Sequence, residues 1–469
     1  MNVSSPVSAA PVHFDSLPGP RTLPILQLKN WMFNQHSHWN DQAALYGPVY
    51  RAHFPFMFGR MVVFTTPAAA KTILRLKPSV AQAGRAYKVL EQSAGASAVI
   101  LLDGDEHLRM RKLILSPLHG ERLARWEGFC EQRTLQEIGQ WPIGEPVSLR
   151  PITEKISLAV LLKVVFGVRD PARSEELREL LPMLFDVPPG AAPGYLHRLG
   201  RLDLGPWSPW GAFRRKRDRI DELILAEVAE RRAEFAADLG DARDEARADV
   251  LSMLLAERDD EGRPMSDREL RDQLVTMLAA GHETTSTSTA WAIERLVRHP
   301  EIIKDLRAEA QSGGTVLLDA VIKETLRSRP VVPQIARYLT EPTEIDGCLV
   351  PADTMVMLPM SVIHMDPDVY PDPETFDPGR FRDGNDPGGY SWLPFGGGVR
   401  RCPGASLALL EMRVMIRTIV QNVDLAPDRP EAERPVVRGI SSVPNRGARV
   451  IVRRRLLTDT LAPAVEAPA

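Results

Sequence analysis

Near its C-terminal end the chain reads Phe395-Gly396-Gly397-Gly398-Val399-Arg400-Arg401-Cys402-Pro403-Gly404. One cysteine sits in a loop crowded with glycines, with an arginine two residues before it and a glycine two residues after. Gly397, Gly398 and Gly404 are expected to supply the φ > 0 conformations such a loop requires, keeping backbone N–H groups pointed at the sulfur. Donors aimed at sulfur favour thiolate over thiol, and a thiolate is a metal ligand. The spaced pattern F-x-x-G-x-R-x-C-x-G thus calls for a fold that grips a metal-binding loop, with the metal left open.

The rest of the chain must build that grip. Its 469 residues could form one large domain or two to three ordinary ones. A hydrophobic fraction of 44% and a charged fraction of 25% are those of a globular protein. The formal net charge of −3 gives no global field for nucleic acid or an anionic membrane. Cys130, Cys348 and Cys402 are too few and too far apart for a disulfide framework and suit a reducing cytoplasm; Cys130 and Cys348 read as small packing residues. The N-terminus lacks a basic region followed by an apolar one. The longest apolar stretch, Leu158 to Val168, is broken by Lys163 and is too short to span a bilayer. A cytoplasmic protein without a membrane anchor is expected.

Residues 1–16 read as a flexible tail, 17–455 as a single domain and 456–469 as a second tail, with no internal repeat. Val49 to Phe54 and Arg60 to Thr65 read as strands. From about 104 to 310 the pattern is mostly helical, including Ser157 to Phe166, Glu175 to Phe185 and Trp210 to Phe235. The clearest helix opens on the capping box Ser266-Asp267-Arg268-Glu269 and runs to His299-Pro300, about 34 residues or roughly 50 Å. A further helix covers Leu317 to Ser328, and another resumes at Gly404 and runs to about Val423.

Three constellations lie on this frame. Glu324 and Arg327 stand side by side on one helical face; alone they would be an ordinary surface pair. Ala280-Gly281-His282-Glu283-Thr284-Thr285 interrupts the long helix at its middle with a glycine and two threonines, against helix propensity. A close helix crossing would account for Ala-Gly, and a ligand lying on the small residues would account for the whole stretch. Thr284 can bond back to the carbonyl four residues earlier. His282 points away from Gly281 and Thr284 and reads as a solvated or capping residue. His107 and Arg111 stand one turn apart on a helix following Gly104.

With these residues in view, the chain resembles the cytochrome P450 family from about residue 17 to 453. The carriers are the cysteine loop, E-x-x-R at 324–327 followed by Phe376-Asp377-Pro378-Gly379-Arg380-Phe381, and A-G-x-E-T-T at 280–285. The resemblance implies a mainly α fold with small β-sheets, a triangular prism in which heme b lies buried between the long central helix and the cysteine-loop helix. It makes Cys402 the axial ligand of the heme iron. His107, Arg111, Arg337 and Arg400 become partners of the heme propionates, and Ala280, Gly281, Phe395 and Gly404 further cofactor contacts. Thr284 is assigned to hold dioxygen and an ordered water, and Glu283 to relay protons. Glu324, Arg327 and Arg380 become a buried structural network that locks the cysteine loop.

The implied activity is monooxygenation. One atom of O2 enters a lipophilic substrate by hydroxylation or epoxidation of a terpenoid, fatty acid, steroid-like or polyketide compound, in secondary metabolism. A peroxygenase or isomerase on the same fold, or a non-catalytic heme sensor, are the alternatives; Glu283-Thr284 favours the monooxygenase. No flavin or nicotinamide fingerprint follows a strand, so electrons must come from a ferredoxin with its reductase, or a flavodoxin. Arg109, Lys112, Arg401 and Arg125 would form the basic face on which it docks. The pocket is expected from 81–100, 181–199, Met277, 331–335 and 441–443. The Gly205-Pro206-Trp207-Ser208-Pro209-Trp210 stretch and the Pro18-Gly19-Pro20 start resemble a bacterial subgroup associated with fatty acids and terpenoids. A monomer is expected.

Overall fold

The computed structural model describes residues 12–33, 35–55, 59–118, 121–167, 170–184, 205, 208–237 and 249–456. The pocket wall expected from 185–199, the Pro206-Trp207 step and most of both expected tails lie outside them.

The capping box forms as its sequence requires. Ser266 Oγ accepts from the Glu269 N–H at 3.2 Å while Glu269 Oε2 accepts from the Ser266 N–H at 2.8 Å. The central helix it opens, Asp267–Leu296, is 30 residues long. It stops short of His299 because the residue before a proline is driven out of the helical region: His299 has φ −130° and ψ 69°, and Pro300 opens the next helix, Pro300–Gln311. The central helix lies along the helix Leu149–Phe166 and also packs on the cysteine helix, Ala405–Asn422. Leu158, Val160, Leu161, Leu162 and Val164 are all buried, so the apolar stretch found in the sequence is, up to Phe166, a largely buried helix.

The β structure forms a side lobe. Its five-stranded sheet runs in the order Val49–Phe54, Gly59–Phe64, Thr354–Pro359, Gln334–Leu339, Ala81–Gln82. This register brings Arg337 opposite Val356 and sets residues distant in sequence next to the helices. Val12 pairs with Cys348 and His13 with Leu349, within the stretch read as an N-terminal tail. A three-stranded sheet carries Val423–Pro427, and a hairpin joins Pro435–Arg438 to Ser441–Pro444. Cys130 and Cys348 are buried and unbridged. Among the described residues no helix is long and apolar enough to cross a membrane.

Candidate active site

The cysteine loop turns on two left-handed glycines, Gly396 at φ 66° and Gly398 at φ 63°. Gly398 is also confined sterically, since a Cβ there would lie 2.1 Å from the Leu74 carbonyl oxygen. The expectation for the other two glycines needs correcting. Gly397 is extended at φ −160°, and Gly404, at φ −87°, caps the cysteine helix. Gly397 is small because Leu74 Cδ1 would stand 3.1 Å from a Cβ, whereas a Cβ on Gly404 would meet no protein atom within 4 Å. The Cys402 N–H donates to the Phe395 carbonyl at 2.8 Å, closing the loop. The Cys402 sulfur accepts from the Gly404 N–H, so a donor does point at it. Burial pushes the thiol upward, opposed by that N–H and by Arg111 and Arg401. Cys402 nevertheless keeps accessible surface. Part of the thiol is thus left uncovered by the surrounding loop.

Cations gather beside it. His107 and Arg111 project from the helix Gly104–Leu115, Arg337 from the sheet and Arg400 from the loop. The His107 imidazole is held neutral, its pKa lowered to about 3 by burial and then by Arg400, Arg111 and Arg337. Its Nδ1 is buried without a partner. Arg337 is buried and donates to its neighbour's carbonyl, Ala336, at 2.8 Å. Burial lowers Arg400 to about 10 even with Asp103 2.5 Å away. Arg400 also donates to the carbonyls of Val99 and Leu102, so its fork is largely spent on the protein. Three guanidiniums and one imidazole with a single acid among them form a site built for an anion.

On the central helix, Thr284 Oγ1 donates to the Ala280 carbonyl at 2.7 Å, the back-bond expected from its spacing. Ala280 is exposed although it lies mid-helix between buried turns, so it borders a space. Gly281 does something different: a Cβ there would stand 3.0 Å from Leu161 Cδ1, so the helix crossing accounts for this glycine. His282 is buried, not solvated as expected. Its Nδ1 lies 2.7 Å from the Leu278 carbonyl and its Nε2 3.7 Å from Glu154. Glu283 Oε1 lies 3.4 Å from Arg150 Nη2. Both border a polar cleft of about 370 Å³ that Glu154, His282 and Arg438 also line.

The Glu324 network forms as expected, but its reach differs. Arg327 grips both Glu324 oxygens at 2.6 and 2.7 Å, with both side chains fully buried. Arg380 Nε stands 3.7 Å from Glu324. The three side chains bond to Asp372, Pro373 and Asp377 and to the His364 carbonyl; no hydrogen bond of theirs, among the described residues, reaches 393–404 directly. Two of the cations expected on a docking face are already paired: Arg109 with Asp259 and Glu269, and Lys112 with Asp260. Arg125 is engaged as well, while Arg401 is exposed.

Sequence reasoning passed over Asp103, Arg150, His364 and Glu411. Asp103 precedes the His107 helix, where an acid reads as an ordinary N-cap. It instead accepts from the Gly84 and Arg85 N–H groups and from Arg400. Arg150 lies more than a hundred residues from Glu283, and no local pattern links them.

A mainly helical body with a β side lobe, a long central helix, a cysteine loop and an anion site beside it defines a heme-protein architecture. A model of the cytochrome P450 family matches residues 16–451. Cytochrome P450 135B1 of Mycobacterium tuberculosis is 41% identical over 419 residues, covering 87% of this chain and 85% of its own. Cytochrome P450 138 of the same species is 37% identical over 415 residues, covering 87% and 90%. A solved cyanobacterial protein, CYP120A1 with retinoic acid bound, superposes with a TM-score of 0.78 at 24% identity, over 96% of this chain and 100% of that one. The chain belongs to the cytochrome P450 family; it is a heme-binding monooxygenase. The residues present fit the group, since the unpartnered His107 nitrogen, the under-neutralised guanidiniums and the uncovered Cys402 sulfur suit a dicarboxylate macrocycle carrying a metal.

Proposed function

We propose that this chain inserts an oxygen atom into a lipophilic small molecule, a terpenoid, fatty acid, steroid-like or polyketide compound, using electrons from a separate ferredoxin or flavodoxin. A heme bound through a thiolate would supply the O2-activating chemistry, the sulfur's electron donation favouring O–O cleavage. Cys402 would supply the thiolate that holds the iron, its loop closed by the Phe395 carbonyl and its sulfur steadied by the Gly404 N–H. His107, Arg111 and Arg337 would hold the propionates, with Arg400 contributing what its fork retains beyond Asp103.

The observation that carries the oxygenase reading is the Glu283–Thr284 step. Glu283 borders the polar cleft beside Arg150, and Thr284 is anchored to Ala280 on the helix face bordering the interior. A carboxylate at the solvent side followed by a hydroxyl on the inner side can pass protons inward. Glu283 takes up a proton at its carboxylate, and the Thr284 hydroxyl orders the water that delivers it. A peroxygenase, isomerase or heme sensor needs no such path. Val331 and Ile335, buried and apolar, suit a lipophilic substrate; the fold neighbour's retinoic acid is likewise apolar along most of its length.

NAD(P)H consumption and oxygenated product are measured with a surrogate ferredoxin system and a panel of lipids and terpenes. Thr284→Ala is expected to lower product per NAD(P)H by roughly tenfold or more while leaving the thiolate-type absorption of the reduced carbon monoxide complex in place. Unchanged yield refutes the proton-delivery role.

A further inference from the structure

Among the described residues no hydrogen bond runs directly from the Glu324–Arg327 pair to the cysteine loop, yet one side chain links the two. His364 follows the short helix Met360–Ile363 and is fully buried. Its carbonyl accepts from Arg327 Nη1 at 2.9 Å. Its Nδ1 lies 3.3 Å from the Arg327 carbonyl, and its Nε2 accepts from the Leu393 N–H at 2.8 Å. A backbone N–H can only donate, so Nε2 carries the lone pair and the proton sits on Nδ1, aimed at the Arg327 carbonyl. The ring is thus a neutral donor–acceptor bridge.

Leu393 is where the cysteine loop begins to be fixed. It is buried, and its carbonyl accepts from the Gly396 N–H at 2.9 Å. Phe395, between them, accepts from the Cys402 N–H at 2.8 Å. A continuous path therefore runs from Glu324 through Arg327, His364 and Leu393 into the turn that closes on Cys402. A weaker parallel tie exists where Trp392 Nε1 donates to the Lys323 carbonyl at 3.2 Å. The His364 path is anchored in the bidentate ion pair and reaches Leu393 itself.

We propose that His364 is the positioning residue that transmits the rigidity of the Glu324–Arg327 pair to the Cys402 loop. Its role is to hold the Leu393 backbone so that the sulfur meets the iron in one geometry. Burial keeps the ring neutral, its pKa lowered to about 3, which preserves the Nε2 acceptor at every ordinary pH. The inference rests on Cys402 being the axial ligand.

The test uses the heme-loaded protein. His364→Phe fills the space without an acceptor and leaves the Leu393 N–H buried and unpaired, whereas His364→Gln offers an amide oxygen in its place. The reduced carbon monoxide complex reports the ligand, because its absorption differs between thiolate-held heme and heme held by a neutral ligand. His364→Phe is expected to raise the fraction off the thiolate band roughly tenfold, the equivalent of one unsatisfied buried N–H. His364→Gln should restore the band, and His38→Ala, altering a buried histidine beside Trp39 and Phe54, should lower the melting temperature without moving it. A wild-type-like band in His364→Phe overturns the proposal, whatever the melting temperature. So does an equal shift in His38→Ala. Should His364→Phe fail to fold, His364→Gln decides: a retained thiolate band supports the bridge and a lost one refutes it. If the wild type itself gives no thiolate band, the axial assignment of Cys402 has failed instead.

Discussion

Arg150 Nη2 stands 3.4 Å from Glu283 Oε1, and Arg150 Nε stands 3.4 Å from Thr287 Oγ1, one helical turn further on. Arg150 is buried, and Glu154 is its second acidic neighbour at 3.8 Å. The guanidinium therefore fixes Glu283 against the central helix at the border of the cleft. Arg150→Met should remove that hold, lowering product per NAD(P)H by roughly threefold to tenfold. The thiolate-type carbon monoxide band should stay. A yield equal to wild type would mean that Glu283 works without this partner.

Glu324 and Arg327 are both fully buried, so removing one leaves an uncompensated charge. Glu324→Gln should destabilise the protein by about 3–5 kcal/mol. Thermal unfolding and heme content after purification measure it, and a loss below about 1 kcal/mol would be incompatible with a desolvated ion pair.

Glu411 gives the protein a pH dependence of known sign. It is fully buried on the cysteine helix with Ser157 Oγ donating to it at 2.7 Å, and burial raises its pKa from 4.5 to about 8. The folded state thus prefers the protonated acid. The stability this represents is fully present below about pH 4.5 and is lost as pH rises towards 8. The stake is on the order of 5 kcal/mol. Glu411→Gln should therefore lose less stability than wild type as pH rises from about 4.5 to about 8, as read from denaturant midpoints. Parallel curves would show that Glu411 does not titrate there.

Arg337 has no carboxylate partner among the described residues and is buried. Arg337→Met should speed heme loss to an acceptor globin roughly tenfold or more, the equivalent of one charge-assisted hydrogen bond. Its effect on the melting temperature of heme-free protein should be small or stabilising, since a buried charge is removed. Unaltered heme loss would exclude it as a propionate partner.

Much of this was legible locally. A capping box, a back-bonded threonine, a glycine-rich cysteine loop and an i, i+3 ion pair are short-range devices. Their physics lies within a few residues, so the chain alone announces the central helix, Thr284, Cys402 and the Glu324–Arg327 pair. Even there, the sequence could not say which glycine served which purpose. Gly396 takes the left-handed turn expected of Gly397, and Gly281 serves the crossing with Leu161, because those needs are set by neighbours from other elements. The environment of a charge was likewise invisible: Arg109 and Lys112 meet acids some 150 residues away, and His282 is enclosed.

The sequence by itself determined the parts: a cysteine in a glycine-rich loop, an acid and a base side by side on one helix, an acid next to an alcohol, and with them the family. Tertiary structure alone decided the connections among those parts. Arg150 meets Glu283, Asp103 meets Arg400, and His364 joins Arg327 to Leu393 across gaps that no periodicity spans. Hydrogen bonds and burial act through a few ångströms of space, and only folding sets which residues share those few ångströms.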